Sequence, residues 1–337
     1  MKTISIKIDI KSSMSKHEQI YVQLKSDILS GNLVEGDKLP SITNFSKSQL
    51  VSRDTVEKAY NSLKKNGLIK SAPGKGNYVD SLGAKQKSVL MVFNKLSSYK
   101  KEIYEGFIKA LGHGTKVDLQ IFHYDFEVFK DIMNSQKNSY DYCVVMPHFS
   151  KDVPTNLYID FLNTISPKKL IVLDKEVNLE RKVINVYQDF KQDVFETLIR
   201  EAKHVRRYNT LVLVLAEDSN HPPEIIDGIS QACKKLNKTF TLVRDVKQLQ
   251  PEKGAAYIML TENEMAILVK KIRTTNLILG TDVGLLSFNE TILKELLGIS
   301  VVSTDFHLMG KTAADLIASG ERKAVRNLFG FFKRSSF

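Results

Sequence analysis

Cysteine is scarce in this chain of 337 residues. Cys143 and Cys233 lie ninety residues apart in apolar surroundings, which gives neither a disulfide framework nor a metal-binding spacing. Two such thiols fit a reducing compartment, so a cytoplasmic location is expected. Long apolar runs are missing as well. The most apolar stretch, 211–216, is far too short to cross a bilayer, and the opening MKTISIKIDIKSS lacks the apolar core of a signal peptide. No membrane partner is expected. The seven histidines show no metal-ligand spacing, and no G-x-S-x-G nucleophile turn occurs. Gly310, Lys311 and Thr312 look like the end of a phosphate-binding loop, but the glycine required five places earlier is Asp305. That triplet reads as the start of a helix. His148 follows an apolar run, yet no paired base or cysteine accompanies it in sequence. No catalytic residue, cofactor or metal is expected.

What the chain does hold is ordinary for a soluble globular protein: 42% hydrophobic and 26% charged residues, over a length that allows two or three domains. Its net charge is +11, with a pI near 9.3. Residues 1–80 carry 13 Lys and Arg against 8 Asp and Glu, whereas the other 257 residues carry 36 against 30. Positive charge is densest at the N-terminus, which suits a polyanionic partner there.

Within that basic segment, 51–67 reads VSRDTVEKAYNSLKKNG. Ser52 is a good N-cap, and Val56, Ala59, Tyr60 and Leu63 recur at helical spacing as one buried stripe. The opposite face carries Arg53, Asp54, Glu57, Lys58, Asn61, Lys64 and Lys65, and Gly67 stops the helix. Upstream, Ser15 caps a helix over 16–30 with Ile20, Leu24 and Ile28 inward, ended by Gly31. Pro40 cannot sit mid-helix, so Ser41 caps a second helix, with Ile42 and Phe45 as its apolar contacts. After Gly67, two short strand-like runs flank Pro73-Gly74-Lys75-Gly76, which is hairpin chemistry. Three helices and a glycine-tipped hairpin make a winged helix-turn-helix (α+β) over residues 1–80.

The residues EQIYVQLKSDILSGNLVEGDKLPS and VSRDTVEKAYNSLKKNGLIKSAPGKGNYV resemble the GntR-type bacterial transcription factors over about 62 positions. That resemblance implies a homodimer on a palindromic double-stranded operator, with recognition helix and wing touching DNA. Arg53 takes the main contact, to guanine or to phosphate. Thr55 matches the family's polar contact position, and Ser52 serves as cap and phosphate contact. Ser41, Asp54 and Lys58 belong to the same surface, and Gly74 and Lys75 match the wing tip. Two positions depart from the pattern. Thr43 and Glu57 stand where many members have arginine. A glutamate there repels phosphate but can accept from a cytosine amino group. Lys47, Lys58, Lys64 and Lys65 fit phosphate contacts or solvated surface lysines equally well.

A polar linker is expected at 81–88. From 89 to 337 apolar runs alternate with amphipathic helices. Strands are expected at 89–93, 119–124, 142–146, 169–174 and 183–187, then at 211–216, 240–244, 257–260, 283–288 and 299–303. Helices among them include 101–111, 189–201, 224–236 and 262–273. Two such series predict a two-lobed, doubly wound α/β domain with its ligand site beyond the strands' carboxyl ends. Phe122, Tyr124, Phe126 and Phe129 form an aromatic cluster better suited to a core or linker contact than to a ligand cage.

The order of these elements, with AAYIMLTENEMAILVKKIRTTNLILGTDVGLLSFNET, GISVVSTDFHLMGKTAADLI and a closing Arg334-x-Ser336, resembles the effector domain of LacI-type repressors. Such domains are built like periplasmic sugar-binding proteins. The strand ends nominate Asn94, Tyr99, His148 and Asp174 in the first lobe, and Glu217, Asp218, Glu262, Asn263 and Asn289 in the second. Asp189 matches an aspartate that follows the fifth strand. In this family an aspartate near Asn289 hydrogen-bonds the ligand, and a clamping arginine precedes Gly228 by three places. Here those positions are Asn289 and Ile225. Carboxylates, amides and aromatic faces still suit a sugar. The chain is thus expected to be a repressor released from its operator by a small-molecule effector, a monosaccharide. The alternatives are a GntR-type head fused to an enzyme-like domain, or an activator with no sugar effector.

Overall fold

The computed structural model describes residues 6, 8, 9, 12, 14–80, 87–112 and 115–337. Six of the eight linker positions, 81–86, lie outside the described residues, and Ser88 already opens a strand. The chain divides into two compact units, drawn largely from residues up to Ser88 and from Val89 onward.

In the first unit, α1 (Lys16–Leu29) starts with a capping box: the Ser15 N–H donates to the Glu18 carboxylate at 3.1 Å, and Ile20, Leu24 and Ile28 turn inward. Ser41 Oγ accepts from the Asn44 N–H at 3.2 Å to open α2 (Ile42–Gln49). Leu50, at φ 51°, makes the turn into α3 (Arg53–Lys65). Val56, Ala59, Tyr60 and Leu63 are all fully buried. The Tyr60 hydroxyl donates to the Pro40 carbonyl at 3.0 Å, which ties α3 to the turn before α2. Gly67, at φ 66°, leads into an antiparallel wing of β1 (Ile69–Ala72) and β2 (Gly76–Val79), with Ile69 opposite Val79. The expected winged helix-turn-helix is present.

The second unit holds two six-stranded sheets. Its chain order begins β3 (Ser88–Phe93), α4 (Ser98–Leu111), β4 (Lys116–Ile121), α5 (Phe126–Gln136), β5 (Tyr142–Val145), α6 (Thr155–Asn163), β6 (Leu170–Lys175) and β7 (Ile184–Gln188). It continues with α7 (Phe190–Arg200), α8 (Ala202–Val205), β8 (Thr210–Val214), α9 (Glu224–Leu236), β9 (Thr239–Val243), α10 (Glu262–Arg273) after β10 (Ala255–Met259), and β11 (Gly284–Phe288). Last come α11 (Ile292–Leu296), β12 (Ser300–Thr304), α12 (Phe306–Ser319), β13 (Ala324–Arg326) and β14 (Phe329–Phe332). The first sheet has the order β13-β7-β6-β5-β3-β4 and the second β14-β12-β11-β10-β8-β9. β14 runs antiparallel to β12. Central strands are buried on both faces, as their unbroken apolar runs require. In β3, Val89, Met91 and Phe93 face one core layer and Leu90 and Val92 the other.

The chain passes between lobes three times: from β7 into α7, from β12 into α12, and from β13 into β14. α12 returns from the second sheet to pack on α4. This corrects the reading of Gly310 as a helix start. The helix begins at Phe306 under the cap of Asp305, whose carboxylate accepts from the Leu308 N–H at 2.8 Å. Gly310 lies inside it, where an added Cβ would sit 2.0 Å from the Ile103 carbonyl oxygen. Gly106 on α4 approaches the His307 carbonyl in the same way. Phe122, Phe126 and Phe129 join Phe149 and Phe161 in a core layer, whereas Tyr124 stands apart from them. The strand expected at 119–124 ends at Ile121, because His123 and Tyr124 take positive φ of 48° and 65°. The closing Arg334-x-Ser336 fastens the tail: Ser336 Oγ accepts from the Ser300 N–H and donates to the Leu285 carbonyl, each at 2.7 Å.

Gly310→Ala is a sharp check on the α4–α12 contact. On an isolated helix alanine would stabilise by about 1 kcal/mol. Here it is expected to destabilise the second unit by about 3 kcal/mol, read as a lower denaturation midpoint of that unit's transition.

Candidate functional site

Two surfaces carry functional side chains. On the first unit, Arg53, Asp54, Glu57 and Lys58 project from the solvent face of α3. Ser52 Oγ accepts from the Thr55 N–H at 3.1 Å and lies 2.8 Å from the Thr55 hydroxyl, so cap and neighbour hold each other at the helix entrance. Asp54 pairs with Lys58 at 2.8 Å, one turn along. Thr43 is half-buried and Ser41 serves as the α2 cap. At the wing tip Gly74 takes φ 70°, and Lys75 is exposed beside it. A helix N-terminus with exposed polar side chains, beside a hairpin tipped by an exposed lysine, can read a duplex groove.

The second surface is a cleft of about 370 Å³ at the carboxyl ends of both sheets. Of the expected effector residues, Asn94, Tyr99, His148, Asp174, Asp218 and Asn289 line it. Asp189, Glu217, Glu262 and Asn263 do not. The Asp189 carboxylate caps α7, accepting from the Gln192 N–H at 2.9 Å. Glu217 is exposed, and its carbonyl accepts from Lys151. Glu262 accepts from the Thr291 hydroxyl at 3.2 Å, and Asn263 faces solvent. At the start of α10 the cleft is met by the cap Thr261 and by Glu264, whose N–H donates to the Thr261 hydroxyl at 3.3 Å.

Several lining residues carried no sequence signal as site residues: Lys95, Lys100, Tyr124, Gln188 and His221. Asp174, Asn289 and Tyr124 all hold positive φ, at 74°, 64° and 65°. Non-glycine residues in that region are strained, and strain of this kind concentrates where function fixes the backbone. Lys100 is the least expected. It continues the inward stripe of Ile103 and Phe107 on α4 and is only 3% exposed. Its ammonium donates to Asn94 Oδ1 and, at 3.3 Å, to Met146 Sδ. Burial pushes it down to about 8, Asp174 acting against that shift and Lys95 with it.

Asp174 accepts from Gln188, and its Oδ2 lies 2.9 Å from His148 Nε2. Burial works against its charge. The His148 hydrogen bond, the Lys100 ammonium and Gln188 more than offset this and hold its carboxyl well below the usual range. Burial pushes His148 down, against the hydrogen bond and the charge of Asp174. His221 is pushed down to about 4 by burial, then by Lys95 and His148, and its Nδ1 lies 2.7 Å from the Ser219 hydroxyl. Burial also opposes the charge of Lys95, but the Tyr99 and Tyr124 oxygens outweigh it. The opposite wall offers Asp218, Ser219 and Asn289, and Phe190 and Phe306 supply aromatic faces.

Behind the cleft the crossing segments are knitted together. Asn327 Nδ2 donates to Thr304 Oγ1 at 2.9 Å and to the Asp305 carbonyl at 2.7 Å. Arg326 on β13 reaches α7, with 2.7 Å to Asp193 and 2.9 Å to Glu196.

Residues 16–79 match the family described as bacterial regulatory proteins, gntR family. The HTH-type transcriptional repressor YtrA of Bacillus subtilis is 31% identical over 134 residues, which are 40% of this chain and 98% of that protein. The chain belongs to the gntR family. It is a DNA-binding transcriptional regulator. The probable rhizopine catabolism regulatory protein MocR of Rhizobium meliloti is 32% identical over 75 residues, but these are only 15% of MocR, so that likeness is confined to a short segment. The second unit has the fold of LacI-type repressor domains. The Escherichia coli transcriptional repressor ascG superposes with a TM-score of 0.60 at 16% identity, covering 75% of this chain and 99% of ascG. The Escherichia coli trehalose repressor gives 0.58 at 12% identity, covering 74% of this chain and all of that one. At such identities the likeness is one of fold.

A buried ammonium whose folded-state pKa lies below its free value destabilises the folded protein while charged. The unfolded chain binds the extra proton between about pH 8 and 10.5, so stability rises with pH across that window. Lys100→Met is therefore expected to stabilise the unliganded second unit at pH 7 by about 3 kcal/mol. The gain should shrink toward zero by pH 10. Paired thermal melts of variant and parent at the two pH values measure it.

Proposed function

We propose that this gntR-family regulator is a cytoplasmic homodimeric repressor that binds a palindromic operator and leaves it when a small sugar-like effector fills the cleft. The supporting observation is the pairing of two parts in one chain. A gntR-family head is joined to a LacI-type domain whose cleft presents acids, amides, hydroxyls and aromatic faces from both lobes. Hydroxyl groups of a sugar satisfy such donors and acceptors, and its apolar ring face stacks on Phe190 or Phe306.

Release needs a difference in binding. An effector shifts the equilibrium only so far as it prefers the operator-incompetent arrangement of the dimer, and a tenfold loss of operator affinity requires about 1.4 kcal/mol of such preference. The LacI-type architecture supplies a lever, because three crossings link the lobes and closing the cleft bends all three together. In a dimer, that change re-places two heads that must meet half-sites about one helical turn apart.

Arg53 is the leading base or phosphate contact, and Glu57 shifts base preference away from arginine-bearing relatives. Arg53→Ala is expected to weaken operator binding by about 1–3 kcal/mol while leaving the melting temperature unchanged. Fluorescence anisotropy on palindromes upstream of the protein's own gene measures this at physiological salt. No preference for those sites over random DNA would refute the repressor reading. A monosaccharide panel in thermal-shift format tests the sugar half, since a bound ligand must stabilise the folded domain.

A further inference from the structure

The first-lobe wall of the cleft carries two lysines, Lys95 and Lys100, against one carboxylate, Asp174. α4 begins at Ser98 with its N-terminal end beside the cleft, and a helix N-terminus carries partial positive charge that favours acidic neighbours. No acidic residue lies in its first turn. Lys100 stands there instead, buried, and both of its hydrogen-bond partners, Asn94 Oδ1 and Met146 Sδ, are neutral. Lys95 lines the same wall and adds a second cation close enough to repel the first. One carboxylate, Asp174, faces this charge and offsets one of the two cations, while its oxygens also pair with His148 and Gln188.

Asp174 offsets one of the two cations, so this wall keeps an excess of positive charge, and burying that excess is unfavourable in a way that packing does not explain. A methionine of similar length would fill the same space without that cost. A neutral sugar would leave the charge as it is and cover it further from water. An acidic group would meet Lys95, Lys100 and the helix end at once, in a site dry enough for charge-assisted hydrogen bonds to be strong. The second-lobe wall has a different chemistry. Asp218, Glu264, Ser219 and Asn289 are suited to hydroxyl groups, and the two carboxylates would repel an anion there.

We propose that the effector is a hydroxylated carbon skeleton bearing one acidic group, a phosphate ester or a carboxylate, with the acid seated between Lys95 and Lys100 and the hydroxyls turned toward Asp218 and Asn289. This rests on the reading of the cleft as the effector site. It narrows the class from sugars in general to sugar phosphates and sugar acids.

The test is calorimetric titration of the full chain at constant ionic strength. Its panel contains hexose and pentose phosphates, the corresponding uronic and aldonic acids, their neutral parents, and inorganic phosphate alone. At least one acidic member should bind tenfold or more tightly than its neutral parent. Lys100→Met, and separately Lys95→Met, should abolish that preference, and inorganic phosphate should compete with the acidic member. Phosphate esters binding without the carboxylates, or the reverse, identifies which acid the site takes. Neutral parents binding as tightly as acidic members, or Lys100→Met retaining the preference, would overturn the inference and leave the sugar-sensing reading intact. If no member of the panel binds, both fall together.

Discussion

Helix α12 carries the chain back from the second lobe to the first, and its seat on α4 requires backbone-to-backbone approach at Gly106 and Gly310. Nearly everything about the effector domain follows from that contact. Each sheet is completed by late segments, β13 for the first and β14 for the second, so neither lobe is a continuous stretch of chain. A side chain at either glycine would lift α12 off α4 and displace the segment that leads into β13. The same contact fixes α4, whose first turn supplies Tyr99 and Lys100 to the cleft. Packing at one end of that helix thus positions charge at the other.

The floor of the cleft shows the opposite economy. Asp174, His148 and Gln188 form a hydrogen-bonded group with the buried Lys100 acting on Asp174 through its charge, and three lining residues hold strained backbone. A fold selected for stability alone would have filled this space with aliphatic side chains. The polar group is retained at the one place where both sheets present their carboxyl ends, as expected of a site organised for a ligand.

The reading helix was legible because its pattern is local. Val56, Ala59, Tyr60 and Leu63 follow the helical period, and Ser52 and Gly67 mark its ends. Most strands were legible as apolar runs for the same reason. β13 and β14 were not: they are short, and they are strands because other segments lie beside them. At the cleft, six of the ten nominated effector residues line the site and four do not. Where a strand hands over to a helix, one residue caps and the next turns to solvent, so a shift of one position decides the outcome. Asp189 caps α7 while its neighbours Gln188 and Phe190 line the cleft. Lys100 was missed because a lysine near a helix start reads as solvated, and its burial is set by α4 packing against the rest of the lobe.

Head and effector domain are useful to one another only if their ligands are coupled. Thermodynamic reciprocity makes that coupling directly measurable. Once a ligand that stabilises the effector domain is in hand, its dissociation constant should be determined with and without saturating operator DNA. Operator affinity should then be determined with and without saturating ligand. A ligand-responsive repressor requires both affinities to fall, and by the same factor. Operator affinity that is unchanged at saturating ligand would contradict the account.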